Sequence, residues 1–163
     1  MTSLNVVDSD PATSSSDAVV VGLHSGSNGA GPTLAAGAAQ IAAAFTDRPL
    51  ADVFALLGAT GAVGEVTKLA TLGTITAPVL AAVGLGPATG GVIPAETLRR
   101  AAGAASRALA GTRHVTLALA GDDVQAIAEG ALLGAYQFAG YKTRDTAQRR
   151  EPVTTISICT AEA

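Results

Sequence analysis

The sequence predicts an α/β fold, a layered sandwich in which strands alternate with helices. Three observations carry this. Continuous apolar runs such as AVVVGL (18–23) and APVLAAVGLG (77–86) suit strands buried on both faces, as parallel strands covered by helices are. Alanine-rich stretches with larger apolar residues at helical spacing stand between and after them. The resulting order is strand, helix, strand, strand, helix, strand, helix, strand, which is that of a sheet built with right-handed crossovers.

Each element has its own justification. Residues 4–7 form a short apolar run suited to an edge strand, and 18–23, with three consecutive valines, a fully buried one. The loop HSGSNGAG follows. Pro32 then stands where the first helical position accepts proline, so 33–45 is expected as a helix with Leu34, Ala38, Ile41 and Phe45 on one stripe. PLADVFALLGATG predicts a short helix ending at Gly58. Residues 65–72 alternate and contain Val and Thr, which predicts a strand with one wetter face, and 77–86 is the next buried strand.

Pro94 opens the clearest helix. Leu98, Ala101, Ala102, Ala105 and Leu109 face one way, and Arg99, Arg100, Gly103 and Arg107 the other. Glu96 and Arg100 add an i,i+4 pair, and Gly111 stops the helix. HVTLAL (114–119) is a strand. Asp122 followed by Gln125 resembles a capping box, starting a helix that reaches about Phe138 with Val124, Ile127, Ala128, Ala131, Ala135 and Phe138 as its core stripe. VTTISIC (153–159) is the last strand.

Composition narrows the function classes. A chain of 163 residues suffices for one compact domain, and 48% hydrophobic content excludes a disordered one. Aromatic residues make up 3% and Trp is absent, so packing through small side chains is expected. A net charge of -3 gives no electrostatic footprint for nucleic acid or membrane. Cys159 is the only cysteine, which precludes an internal disulfide and fits a reducing cytoplasm. The N-terminus lacks the basic start of a secretory signal, and no uninterrupted apolar run reaches the ~18 residues of a membrane span. A soluble cytoplasmic protein is expected.

No catalytic, cofactor-binding or metal-binding residue emerges from the motifs. Gly84, Gly86 and Gly90 follow a strand, but their G-x-G-x-x-x-G spacing and the distance to Pro94 separate the loop from the helix amides that would cradle a pyrophosphate. The acid expected ~20 residues on would fall in the helix near Ser106, so a plain turn is favoured. His24 and Ser25 are sequence neighbours that point to opposite faces of an extended chain, and no G-x-S-x-G elbow is present. His24, His114 and Cys159 are scattered, and Asp122 and Asp123 suit a helix cap better than a metal. Lys142, Arg144, Arg149 and Arg150 are diluted by Asp145 and Glu151, as in a solvated connector. Gly130 and Gly134, spaced G-x-x-x-G, are expected to bring the helix close to the sheet or to a neighbour, at up to ~1 kcal/mol of helix propensity each.

The stretch AEGALLGAYQFAGYKT (128–143) resembles the helix that closes the N-terminal domain of the leucyl (cytosol) aminopeptidases, with its "aEG…la.Y.Fd.YK" pattern. APVLAAVGLG resembles that family's "vllvGlG" strand, and the helix starting PAETLRRAAGAA occupies the place of the helix after it. The resemblance covers roughly 65–143 well and the first ~60 residues in pattern. It implies a macro-domain-like, three-layer sandwich, with a mixed, mostly parallel sheet between helices.

It also implies a division. Residues 1–143 would be the N-terminal domain, and 144–163 a connector and final strand leading towards a catalytic domain that the chain does not contain. In the family, two divalent metals (zinc or manganese) in that second domain activate water to attack the peptide carbonyl. The family's NTDAEGR motif is absent, and the only lysines are Lys68 and Lys142, so no family catalytic residue transfers to this chain. The implied function is a non-catalytic assembly or regulatory domain, with its own catalytic domain and the other subunits of a hexamer as partners. A stand-alone macro-like module binding ADP-ribose or a related nucleotide is the alternative. DNA contact through Arg144, Arg149 and Arg150, as in some bacterial relatives, has no support in this acidic sequence.

Overall fold

The computed structural model describes residues 1–119, 123–136 and 150–160. Among them, seven strands build one sheet: β1 (Ser3–Val7), β2 (Ala18–Ser25), β3 (Thr33–Leu34), β4 (Val66–Ala70), β5 (Val79–Pro87), β6 (His114–Ala118) and β7 (Thr155–Cys159). The order across the sheet is β1-β7-β6-β2-β5-β4, with β3 paired to β2. β1, β7, β6, β2 and β5 run parallel, while β4 is antiparallel to β5 and β3 to β2. The sheet is therefore mixed and mostly parallel, as expected.

Among the described residues four α-helices cover it: α1 (Ala39–Ala44), α2 (Leu50–Leu56), α3 (Ala95–Ala108) and α4 (Val124–Ala135). The valine run of β2 lies at the centre, and its alternation divides the core. Ala18 and Val20 join one cluster with Leu98, Ala102 and Ala105 of α3 and Ile127 and Ala131 of α4. Val19, Val21 and Leu23 join the other, with Ile41 of α1 and Leu50 and Phe54 of α2. Side chains alternating across a strand are thus buried on both faces, which makes three layers. Each fully buried Leu, Ile or Phe contributes about 1.5–3 kcal/mol.

The expected helix over 33–45 is shorter and differently placed. Thr33 and Leu34 pair with β2, the Ala35 N–H donates to the Gly22 carbonyl at 2.9 Å, and the α-helix starts only at Ala39. The chain satisfies its backbone groups on the sheet edge before it coils. The predicted stripe still faces one cluster: Ala38 and Ile41 are buried in it, with Leu34 and Phe45 packed against it.

α3 follows Pro94 and buries Leu98, Ala101, Ala102 and Ala105. Glu96 sits in its first turn and Arg107 in its last, each beside the opposite charge of the helix dipole. Gly103, expected on the outer face, is buried because α4 lies over it. α4 ends at Ala135, and Phe138 lies outside the described residues. The last strand, β7, lies inside the sheet between β1 and β6, with Ile156 and Ile158 fully buried.

Candidate functional site

The carboxyl ends of β2 and β5 are the place where an α/β sheet of this kind positions ligands, and the glycines that suggested a nucleotide loop lie there. Gly84 and Gly86 belong to β5 itself, and Gly90 to the exposed loop beyond it. A Cβ on Gly84 would overlap the Ala62 carbonyl oxygen, and one on Gly86 would come 2.8 Å from Cγ2 of Val63. These two glycines make room for the segment that precedes β4. Gly84 and Gly86 thus lie in the strand rather than in the turn expected from sequence, and their steric reason depends on a segment ~20 residues away.

That segment is held by Glu65. Its Oε2 accepts from the Thr60 N–H at 2.8 Å, the Gly61 N–H at 2.9 Å and the Thr60 hydroxyl at 3.0 Å. Burial pushes this carboxyl up, but the Thr60 amide and hydroxyl and the Gly61 and Ala62 amides outweigh it, leaving it below the ordinary glutamate value. Sequence reasoning missed this arrangement. Its only local sign is a run of small residues, Ala59 to Gly64, leading to an acid directly before β4.

The two histidines sit apart. His24 Nδ1 lies 3.3 Å from the Gly86 carbonyl at the top of β2, beside Ser25, and no bond joins His24 to Ser25 among those of the described residues. His114 Nε2 lies 2.9 Å from Oγ of Ser157, across β6 and β7. Asp17 completes no triad there, because its carboxylate accepts from the His114 backbone N–H at 2.9 Å. Cys159 donates to the Ser9 carbonyl at 2.8 Å. Among the described residues no group of three or more His, Cys, Asp or Glu is placed to hold a metal.

The remaining candidates are structural or lie elsewhere. Asp123 caps α4, accepting from the Ala126 N–H at 2.9 Å; Asp122, Lys142, Arg144 and Arg149 lie outside the described residues. The stem of Arg150 runs beside Gly111. Gly130 and Gly134 do bring α4 close to a neighbour, namely α3. A Cβ on Gly130 would overlap the Arg99 carbonyl, and one on Gly134 the backbone of Gly103. Arg99 bridges the same helices, donating to Glu96 at 2.9 Å and to Glu129 at 2.8 Å. The bond to Glu96 is exposed and stays within α3, while that to Glu129 is part-buried and joins the two helices; ion pairs still open to solvent set orientation more than stability.

Residues 16–145 match the family described as "Cytosol aminopeptidase family, N-terminal domain". A protein of Streptomyces griseus named "Probable cytosol aminopeptidase" is 48% identical over 147 residues, covering 87% of this chain and 28% of its own length. One of the same name from Micrococcus luteus is 42% identical, covering 88% of this chain and 28% of its own. The chain thus spans little more than a quarter of these relatives. Among solved structures, the bottromycin maturation enzyme BotP in complex with Mn is 26% identical with a TM-score of 0.55, covering 89% of this chain and 27% of BotP. A mutant tomato leucine aminopeptidase matches at a TM-score of 0.68 and 16% identity, over 100% of this chain and 33% of its own. The macrodomain of Thermus aquaticus DarG matches at 0.62 and 12%, over 96% and 97%. The last two show the fold alone, and that fold is macrodomain-like.

Proposed function

The chain belongs to the cytosol aminopeptidase family, as its N-terminal domain, and from that premise we propose a non-catalytic assembly or regulatory role within a metal-dependent aminopeptidase. The observation that carries this is the pairing of a family match over 16–145 with relatives of which the chain spans only 28%. The parent protein would remove N-terminal residues from peptides in the cytoplasm. Its hydrolytic chemistry would reside in the remainder, with two divalent metals, zinc or manganese, supplying an activated water. Among the described residues no group of three or more His, Cys, Asp or Glu is placed to hold such metals.

The partners would be the protein's own catalytic domain and the other subunits of a hexamer. The front domain would occupy 1–143, with 144–163 leading on, although the interior position of β7 favours counting that strand with the domain. Supporting the cytoplasmic setting are the names of the relatives.

Hydrolysis of Leu-p-nitroanilide tests the division of labour. The purified chain is expected to give no turnover, with or without Mn²⁺. Turnover that survives removal of contaminating peptidases would overturn the proposal.

A further inference from the structure

We infer that residues 60–64 form a strap, latched by Glu65, that closes the crevice at the carboxyl ends of β2 and β5. In open α/β sheets, ligands enter where neighbouring strands send their connections to opposite faces. β2 and β5 are such neighbours. They pair in parallel from Ala18 and Val79 to Ser25 and Pro87. The chain leaves β2 for α1 and α2 on one face and β5 for α3 on the other.

The strap stands against both strand ends. A Cβ on Gly61 would come 2.5 Å from the carbonyl carbon of His24 and 2.6 Å from the nitrogen of Ser25, the last residues of β2. The Ala62 carbonyl lies on Gly84 and Val63 on Gly86, near the end of β5. Backbone bonds stitch it down, from the Gly86 N–H to the Gly61 carbonyl at 2.9 Å and from the Gly64 N–H to the Gly84 carbonyl at 3.0 Å. Ala62, Val63 and Gly64 are themselves exposed, so little apolar burial holds the strap.

Glu65 makes up for this. One carboxylate oxygen takes three donors, two of them the consecutive amides of Thr60 and Gly61. Successive backbone N–H groups turned to one point are the arrangement with which loops hold anions. Here the chain supplies the anion itself, from the residue directly before β4. The same bonds that satisfy the carboxylate fix the strap, so the crevice is filled by protein and shut to phosphate-bearing ligands. This inference is independent of where the peptidase chemistry lies.

Amide hydrogen exchange followed by NMR tests the latch on the whole chain, comparing the parent with E65A and E65Q. In E65A, the Gly61, Gly64 and Gly86 amides are expected to exchange at least tenfold faster, while amides of β6 and α3 keep their rates. Unchanged rates at Gly64 and Gly86 would overturn the latch. Should E65A fail to fold, E65Q carries the same comparison, with an expected acceleration of at least threefold. Closure is tested on the parent chain by titration with ADP-ribose. Unmoved amide resonances at 26–31 and 88–93 are expected, and saturable shifts there would overturn it.

Discussion

At Glu65 two opposing effects meet on one carboxyl. Burial raises its pKa, the amide and hydroxyl donors of Thr60 with the amides of Gly61 and Ala62 lower it, and the donors prevail. Its folded pKa lies below its unfolded one, so the unfolded chain binds more protons in the window between them. The stability it contributes is therefore complete above the ordinary glutamate value and is lost as pH falls through the folded value. Thermal midpoints measured across that acidic range are expected to fall more steeply for the parent than for E65Q. Some slope remains in E65Q, because Glu96 and Glu129 are also lowered, by hydrogen bonds from Arg100 and Arg99 and from Gln125 and Arg99 respectively. Equal slopes for the two proteins would refute the assignment. A neighbouring acid shows how far the sequence speaks at this scale. The pair Asp122–Asp123 marks a helix start, but spacing alone favours Asp122 with Gln125, whereas Asp123 makes the bond to the Ala126 amide. Asp123→Ala is expected to cost ~1 kcal/mol, a fall of about 2–4 °C in Tm for a chain of this size, and calorimetry checks it.

Between elements, α3 and α4 approach each other closely enough that the glycines of α4 have no room for a side chain. Gly130 and Gly134 were legible as residues that permit close packing, because each sacrifices helix propensity for no local gain. Their partner was not legible. Gly103 looked like part of an outer face, since the face of α3 opposite the sheet is defined only once α4 is laid across it. The same limit explains why the helix expected over 33–45 starts only at Ala39, since pairing of Thr33 and Leu34 with β2 decides the backbone there and no periodicity records it. A substitution separates the effects at Gly134. Alanine would add up to ~1 kcal/mol of helix propensity, but its Cβ would meet the Gly103 backbone, with Cα only 2.6 Å away. Backbone yields less than a flexible side chain, and overpacking costs typically ~1–3 kcal/mol. Gly134→Ala is therefore expected to lower the urea midpoint at unchanged m-value, while Leu133→Ala, at a residue 69% exposed, shifts stability by less than about 0.5 kcal/mol. A more stable Gly134→Ala protein would show that the two helices have room to part.

For the molecule as a whole, apolar runs identified nearly every strand of the sheet, yet none of them encodes which strand lies beside which. The final strand is the case that matters most. From the sequence it ends a connector that begins at Arg144, after the motif of the closing helix; in the fold it separates β1 from β6. Ile156 and Ile158 are fully buried, as is Val153 just before the strand, and all three belong to the cluster that α3 and α4 cover. At about 1.5–3 kcal/mol each, their removal would forfeit an amount comparable with the whole stability of a typical domain, ~5–15 kcal/mol. It would also strip the hydrogen-bonding edge of β6 and leave β1 without its partner. A chain ending at Thr143 is accordingly expected to lose its cooperative thermal transition, whereas one ending at Thr160 keeps it, as followed by far-UV circular dichroism. If the shorter chain unfolds cooperatively at the same temperature, β7 is an accessory strand and the domain closes with its last helix. If it does not, the folding unit includes β7, and whatever follows in the longer relatives is joined beyond a strand buried within this sheet.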